Sequence, residues 1–383
     1  MKVSGVWLDN PGTQAVLGML TDAGYQALAV GGCVRNALLG VPVTDVDIAT
    51  DALPETVSNL AETAGLRAVP TGIAHGTVTV VAQGEGFEVT SFRHDDESFG
   101  RHARVSFGAD LAQDAARRDF TMNALYAQAD GTVIDPLGGL PDLLARRLRF
   151  VGDAEARIHE DYLRVLRFFR FHAQYGDPEQ GLDPDALAAC AANSAMLETL
   201  SRERVTAELR KLLAAADPAP SVAAMAQAGV LSAVLPGADA RSLPILVHLE
   251  DGVPGGWLRR LAMLTGDVDG LRLSKAEARD FGKIRDAFGS MHSPAALGWT
   301  LGATLGADAV LGRAALFESP PPAGWNAEVT RGAQARFPLK PADLMPALQG
   351  PDLGTAIRQA QAQWLASDLS LGKEALLSRL GLA

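Results

Sequence analysis

The pattern of apolar and polar residues divides the chain into two parts of different character. In the first 150 residues, short runs of β-branched and aromatic residues, bounded by Gly, Asp or Thr, alternate with helix-like segments. These runs predict strands at Ala27–Val30, Val46–Ala49, Thr77–Ala82 and Phe87–Phe92. From about Asp153 onward, Ala- and Leu-rich helical segments follow one another and strand-like runs nearly vanish. We therefore expect an α+β protein, with an α/β head followed by an all-helical remainder.

Two segments of the first part have simpler patterns. Leu53–Ala64 is predicted to be a helix, because Pro54 is suited to a first helical position and Gly65 to a helix end. Arg93–Ala103 is polar, charged and aperiodic. This composition predicts a mobile loop between two ordered segments.

Composition narrows the class of protein. The 383 residues are 48% hydrophobic, which is enough for a sizeable core and more than one packed unit. A formal charge of −11 argues against a protein that coats nucleic acid nonspecifically, although a local basic groove remains possible. Cys33 and Cys190 are too few for a disulfide framework and lack metal-ligand spacing, which favours a reducing compartment. Because Met1–Tyr25 lacks a signal-peptide pattern and no apolar stretch reaches about twenty residues, we expect a cytoplasmic protein without a membrane span.

The first motif that indicates chemistry begins at Gly31-Gly32 and ends at Asp45-Val46-Asp47. Glycines after a strand let the backbone approach phosphate closely, and Arg35 on the following helix can reach the same anion. On a strand, Asp45 and Asp47 lie on one face. Their mutual repulsion would be relieved by two Mg²⁺ ions about 4 Å apart, which can activate a 3′-hydroxyl and neutralise a leaving pyrophosphate. Taken separately, the glycine pair is also typical of an ordinary turn, and the aspartates of a solvated strand edge.

The second motif runs from Arg117 to Leu125, with the sequence RRDFTMNAL. If the segment begins a helix, Phe120 and Leu125 pack inward while Arg117 and Arg118 lie near the helix start. The helix dipole disfavours cations there, so a bound anion would relieve the conflict. A surface Arg–Asp pair is the alternative interpretation.

The third motif, Glu160–Phe171, is predicted to be a single helix that is apolar around most of its circumference. Arg164, Arg167 and Arg170 recur at every third position and form one ridge. Only Glu160 and Asp161 lie nearby in sequence to compensate these charges, so the surplus favours an external anion such as a nucleoside triphosphate. A solvated face with extended arginines is the alternative.

Together these motifs resemble those of the class II CCA-adding enzymes and the related bacterial poly(A) polymerases. The similarity also includes Asp135-Pro136, Gly138-Gly139 and Asp142-Leu143, and a segment at Arg202–Leu209 like the one that supports the family's nucleotide-binding helix. It extends from about Ala27 to Leu213 and then weakens to the segment Leu271–Ser274. One departure is Asn36, where the family usually has Asp.

The resemblance implies roles for particular residues. Asp45 and Asp47 would be the catalytic metal ligands, with Mg²⁺ as the cofactor, and Glu88 is a weaker candidate for a third carboxylate. The nucleotide-binding residues would be Gly31, Gly32, Arg35, Arg118, Arg167 and Arg170, together with Asp161 and Arg164, which would replace a nucleic-acid template.

Chemistry supports the last of these roles without the family. Cytosine and adenine each show an amino donor beside a ring-nitrogen acceptor, whereas uracil and guanine present the reverse order. A carboxylate at Asp161 and a guanidinium at Arg164 would therefore admit C and A and reject U and G.

The resemblance implies addition of C, C and A to the 3′ end of tRNA from CTP and ATP. The segment with Asp95, Asp96, Gly100, Arg101 and His102 resembles the flexible loop needed for adding the final A, and a basic run typical of bacterial poly(A) polymerases is not found after Asp47. Both features favour full CCA addition over an A-adding or C-adding relative or a poly(A) polymerase. A non-catalytic RNA-binding protein is a remote alternative, because Asp45 and Asp47 would then have no reason to remain paired.

The family architecture predicts three regions. Residues 1–150 would form the nucleotidyltransferase head, residues 151–215 a helical neck with the nucleotide-binding helix, and residues 216–383 a helical body and tail that bind tRNA. A small-molecule nucleotidyltransferase would need neither the Asp161–Arg164 reader nor so many helical residues after it.

Overall fold

The computed structural model describes residues 1–99, 102–108, 110–345 and 347–382. Two compact units divide the chain: one contains Met1–Leu200 with Ala228–Ala233, and the other contains Ser201–Gln227 with Val234–Ala383. None of the described helices is long and apolar enough to cross a membrane. The predicted regional boundaries at residues 150 and 215 remain a prediction.

The first unit contains a mixed sheet with helices. Its strands are β1 Ala27–Val30, β2 Asp47–Thr50, β3 Arg67–Gly72, β4 Thr77–Ala82, β5 Glu85–Ser91, β6 Arg93–Phe99, β7 His102–Phe107, β8 Tyr126–Ala127 and β9 Val133–Ile134. Its helices are α1 Val6–Asp9, α2 Pro11–Asp22, α3 Gly32–Leu39, α4 Pro54–Thr63, α5 Leu111–Ala116, α6 Leu140–Leu144, α7 Ala154–Glu160, α8 Leu163–Tyr175 and α9 Pro184–Ala192. Short 3₁₀ turns lie at Ile73–His75, Thr121–Asn123 and Ser194–Thr199.

The seven-stranded sheet has the order β3-β4-β5-β2-β1-β8-β9. Only the β2–β5 pair among its described neighbours is parallel, and the other pairs are antiparallel. All four residues of β1 are buried, as expected for a central strand, whereas β4 alternates buried and half-buried residues. The predicted α+β class, with its small mixed sheet, is confirmed.

The remaining helices are α10 Arg202–Leu213, α11 Ala219–Gln227, α12 Val230–Val234, α13 Leu243–Leu249, α14 Trp257–Met263, α15 Lys275–Phe288, α16 Pro294–Leu316, α17 Trp325–Gln334, α18 Gly350–Ala366 and α19 Lys373–Arg379, with a 3₁₀ turn at Pro341–Asp343. No strand lies within the described part of residues 201–382. The second unit has its own apolar clusters, one of which contains Leu339, Ala360, Trp364 and Leu376. The predicted helical remainder is confirmed.

The prediction of a loop at Arg93–Ala103 is wrong for the residues that the structure describes. β6 and β7 form a two-stranded antiparallel ribbon, with Arg93 paired to Phe107 and Phe99 paired to His102. The backbones of the two strands in such a ribbon hydrogen-bond to each other, and neither face has to pack in the core. The ribbon therefore does not require the alternation of apolar and polar residues by which a strand is predicted. Gly100 and Arg101, which were part of the predicted loop, lie outside the described residues.

The prediction of a helix that starts at Arg117 is also wrong. α5 begins after Asp110, whose side chain accepts a hydrogen bond from the Gln113 N–H at 2.8 Å in a capping box, and it ends at Ala116. Arg117 and Arg118 therefore lie at the carboxyl end of a helix, where the dipole favours cations. The predicted electrostatic conflict does not exist.

The single helix predicted over Glu160–Phe171 is broken. α7 ends at Glu160, Asp161 is extended with φ −156° and ψ 106°, and α8 begins at Leu163. The Asp161 carboxylate accepts a hydrogen bond from the Leu163 N–H at 3.1 Å, which satisfies a free donor of the new helix. Apolar side chains of α8, including Phe168 and Phe171, pack around Phe120 with ring centroids 5.1 to 6.4 Å apart.

Candidate active site

The end of β1 and the start of β2 bring the predicted catalytic segment together, beside β5. β1 ends at Val30, which is paired with Asp47, and Asp47 is paired with Glu88 on β5. After β1, Gly31 adopts φ 70°, a conformation that favours glycine, and α3 begins at Gly32. The glycine turn and the start of α3 therefore lie at the same edge of the sheet as the predicted metal ligands.

The carboxylates at this edge are close enough to repel one another. Asp45 and Asp47 are both exposed, and Glu88 is the register neighbour of Asp47. The pKa of Asp47 lies above its usual range because surrounding protein limits its hydration and because Glu88 and Asp45 repel its charge, although Arg118 acts in the opposite direction. A divalent cation would relieve this repulsion.

The donor set fits a hard cation. Asp45 and Asp47 offer only oxygen ligands, which suit Mg²⁺, an ion that keeps several waters and often binds through one or two carboxylates and substrate phosphates. Across the described residues, no three His, Cys, Asp or Glu side chains form a preformed metal group. The structure thus does not bring Glu88 into a three-carboxylate site.

Arg118 lies directly over the glycine turn. A side-chain carbon added to Gly31 would lie 3.5 Å from Arg118 Nη1 and 3.6 Å from the Asn123 carbonyl oxygen. Arg118 Nε donates to the Tyr126 hydroxyl at 3.0 Å, and Nη2 donates to Asp114 at 3.0 Å. This arrangement leaves Nη1 on the side of the guanidinium that faces the turn.

Arg35 is more enclosed than its predicted role suggested, with an exposed fraction of 6%. Its guanidinium donates to the side-chain oxygens of Asn36, Asn123 and Tyr175. All three partners are neutral groups, so no carboxylate among these hydrogen-bond partners cancels the charge of Arg35. A direct contact between Arg35 and a triphosphate remains a prediction, but the structure places its positive charge on α3, close to the Gly31 turn.

The ring of Phe171 gathers three of the predicted phosphate-binding arginines. The guanidinium carbons of Arg35, Arg167 and Arg170 lie 5.2, 5.3 and 4.3 Å from its centroid. Arg167 also forms an ion pair with Asp119, and Arg170 donates to Gln174 at 3.1 Å. Burial would raise the pKa of Asp119, but Arg167 and Asn123 hold it at about 2.

Arg164 is bound to Glu160 rather than to Asp161. Its Nη1 donates to the Glu160 carboxylate and, at 2.7 Å, to the Arg157 carbonyl oxygen, while Nη2 makes only a 3.5 Å contact with the Arg117 carbonyl oxygen. Nη2 is thereby the weakly engaged edge of the guanidinium. Asp161 lies at the start of α8, next to Arg164 in the fold.

Sequence reasoning missed several side chains that support the site. Arg157, which is 8% exposed, donates to Glu160 at 2.6 Å and to the carbonyl oxygens of Arg117 and Arg118, so it links the second and third motifs. Asp114 is the residue i−4 from Arg118, a spacing that indicates an ion pair on a helix. The Arg157–Glu160 pair also has a local helical spacing, but no local signal points to the contacts of Arg157 with the Arg117 and Arg118 carbonyl oxygens, or to those of Tyr126, because these partners are further away in sequence.

Comparison with known proteins gives two family matches. Residues 27–149 match the model of the poly A polymerase head domain, and residues 181–241 match the probable RNA- and SrmB-binding site of polymerase A. A CCA-adding enzyme from Lacticaseibacillus paracasei is 45% identical over 204 residues, which are 53% of this chain and 50% of that protein. A CCA-adding enzyme from Geobacillus thermodenitrificans is 41% identical over 257 residues, 66% of this chain and 58% of that protein. The matched part therefore spans about half the length of these curated relatives.

A solved structure extends the similarity along the chain. The crystal structure of the Bacillus stearothermophilus CCA-adding enzyme in complex with CTP has a TM-score of 0.71 and 29% sequence identity, with 97% of both chains covered. Its fold therefore accounts for the helical part as well as the head. The chain is thus similar to CCA-adding enzymes along most of its length, and its residues 27–149 match the poly A polymerase head domain.

Proposed function

We propose that this chain adds C, C and A to the 3′ end of tRNA, using CTP and ATP and no nucleic-acid template. The observation that carries the proposal is the pairing of Asp47 with Val30, directly before the Gly31 turn over which Arg118 Nη1 lies, with Asp45 close enough to repel the charge of Asp47. Carboxylates for a metal and a guanidinium for phosphate are what nucleotidyl transfer requires. The similarity to CCA-adding enzymes supplies the substrate class.

In this reaction the terminal 3′-hydroxyl oxygen of the tRNA attacks the α-phosphorus of the nucleotide, and the bond to the bridging oxygen of the β-phosphate breaks to release pyrophosphate. Asp45 and Asp47 would hold Mg²⁺, which would supply the positive charge that activates the hydroxyl and neutralises the leaving group. Arg118, with the charges of Arg35, Arg167 and Arg170, orients the triphosphate. Asp161 and Arg164 select the base through its pairing edge. We place this reaction in the cytoplasm.

The decisive test uses purified protein, a tRNA transcript that lacks CCA, and each labelled nucleoside triphosphate alone and in combination. CTP alone should add two residues, ATP alone should add none, and the pair should complete CCA. A tRNA that already ends in CC should accept one A. A protein that extends only the CC-ending tRNA would be an A-adding relative, and long A tracts on any RNA would identify a poly(A) polymerase. No incorporation under any of these conditions would reject the proposal.

A further inference from the structure

Two buried side chains outside the predicted site form a closed ring of hydrogen bonds with Arg118. Arg118 Nε donates to the Tyr126 hydroxyl at 3.0 Å, the hydroxyl donates to Asp114 Oδ2 at 2.7 Å, and Arg118 Nη2 donates to the same Oδ2 at 3.0 Å. Asp114 is 1% exposed and Tyr126 is fully buried. Two donors of the guanidinium are therefore fixed, which sets its plane and its position.

The ring determines where the remaining nitrogen of the guanidinium, Nη1, points. Nη1 lies against Gly31, where a side-chain carbon would be only 3.5 Å away. A guanidinium held on two sides loses less conformational entropy when it binds a ligand on the third, so a preformed ring strengthens the third contact.

Asp114 also pairs with a second arginine, Arg117, through its other oxygen, Oδ1. Arg117 Nε and Nη2 lie 2.9 and 2.8 Å from Oδ1. Burial would raise the pKa of Asp114, but Arg118, Arg117 and Tyr126 hold it below its usual range, so the carboxylate is ionised. One negative charge is thus shared by two guanidinium groups. The cluster keeps a net positive charge, which suits a polyanion better than a neutral ligand.

We propose that Asp114 and Tyr126 are positioning residues that aim Arg118 at the triphosphate of the incoming nucleotide. The inference rests on the proposed function and deepens it. Both residues are buried, and we assign neither of them a contact with substrate. Their effect should therefore appear in the binding of phosphate-bearing nucleotides and not in the recognition of the base.

The test compares Asp114→Asn and Tyr126→Phe with the parent, using the KM for CTP and the inhibition constant of cytidine, which lacks phosphates. Asp114→Asn should raise the KM for CTP about tenfold, because it weakens one charge-assisted interaction, and Tyr126→Phe about threefold. Both variants should leave the inhibition constant of cytidine within twofold of the parent value. Tyr126→Phe keeps the ring in the core, so it still tests the inference if Asp114→Asn does not fold.

Asp142 offers a matched control in the same unit. It is 4% exposed, accepts from the Thr121 hydroxyl at 2.8 Å and pairs with Arg149 at 2.8 Å. Asp142→Asn should lower the thermal midpoint of unfolding about as much as Asp114→Asn does. It should change the KM for CTP and the inhibition constant of cytidine by the same factor or leave both unchanged. If Asp114→Asn and Tyr126→Phe change the KM for CTP and the inhibition constant of cytidine by the same factor, the inference is overturned and the proposed function stays intact. A parent protein that incorporates no nucleotide would overturn both.

Discussion

Among single residues, Asp45 and Asp47 should affect catalysis far more than RNA binding. Replacing either by Asn removes a metal ligand at the edge of the sheet and no residue that we assign to RNA. We expect Asp47→Asn and Asp45→Asn each to lower kcat by about a thousandfold or more, since the loss of a metal from phosphoryl transfer costs several kcal/mol. The dissociation constant for tRNA should change less than twofold.

Asp51 provides the control for these variants. It follows the opposite end of β2 and accepts a hydrogen bond from the Gln26 N–H at 2.7 Å. Asp51→Asn should retain kcat close to that of the parent. Either catalytic-site variant with activity within tenfold of the parent would show that the metal assignment is wrong.

Base selection should depend on Asp161 and Arg164. Arg164→Ala and Asp161→Ala should relax discrimination, so that UTP and GTP compete, while CTP and ATP are used more slowly. The reason is that each group contributes one hydrogen bond to a matched base edge. The measurement is kcat/KM for all four nucleotides on tRNA lacking CCA. Equal losses for all four would instead indicate that the arginine has only a structural role, through its bond to Glu160.

The Asp119–Arg167 pair should make stability depend on acid pH. The pKa of Asp119 falls from an ordinary value of 3.8 to about 2 in the folded protein, so the pair stabilises above the unfolded pKa and is lost as the pH falls toward 2. The side chain is 11% exposed, and the shift corresponds to about 2 kcal/mol at neutral pH. Asp119→Asn should therefore be destabilised at pH 7, with the difference from the parent about halved near pH 3. Urea unfolding at both pH values would measure the difference in the free energy of unfolding between Asp119→Asn and the parent. A difference that does not change with pH would refute the assigned pKa shift of Asp119.

The arginines of the site could be predicted from the sequence, but most of their partners could not. Arg118, Arg167 and Arg170 stand out because charges beside apolar residues need an anion. Their actual neighbours depend on tertiary contacts, as when Asp119 meets Arg167 across 48 positions of sequence. The prediction that only Glu160 and Asp161 would compensate the third motif was wrong for this reason.

At the scale of elements, prediction succeeded where burial is continuous along a strand, as in β1, or alternates, as in β4. The predicted Ala27–Val30 and Thr77–Ala82 coincide with β1 and β4, because their apolar residues face the core. Elements whose pattern carries little periodicity were missed: β3, the β6–β7 ribbon, and the two-residue strands β8 and β9. The sequence does not reveal the break before α8, because apolar residues keep a helical spacing on both sides of Asp161. In the structure, the hydrogen bond from the Leu163 N–H to the Asp161 carboxylate marks the break.

The β6–β7 ribbon should be needed for the last step of addition. Removal of residues 98–103 deletes the final two register pairs, Ser98 with Ala103 and Phe99 with His102. We expect the shortened protein to add both C residues and to fail at the final A, since a rigid Asp161–Arg164 pair cannot meet a pyrimidine and a larger purine without movement nearby. Sequencing of the products from tRNA lacking CCA, with CTP and ATP together, would decide. Completion of CCA at the parental rate would mean that the ribbon has no such role.

On the scale of the whole molecule, the net negative charge should limit which RNAs this chain binds. A charge of −11 repels phosphate at long range, so attraction must come from a few local arginines. We expect the affinity for tRNA to depend weakly on salt, with a slope of log K against log salt no steeper than about −3, which corresponds to few neutralised phosphates. Fluorescence polarisation from about 50 to about 300 mM salt would measure the slope, because a change of this size lowers the affinity of strongly basic proteins by orders of magnitude. An unstructured RNA of equal length should bind more weakly than tRNA at every salt concentration and should receive few or no A residues from ATP. A steep slope, near about −10, or equal extension of both RNAs would show that the chain binds RNA mainly through the RNA phosphates, as a polymerase with little selectivity would.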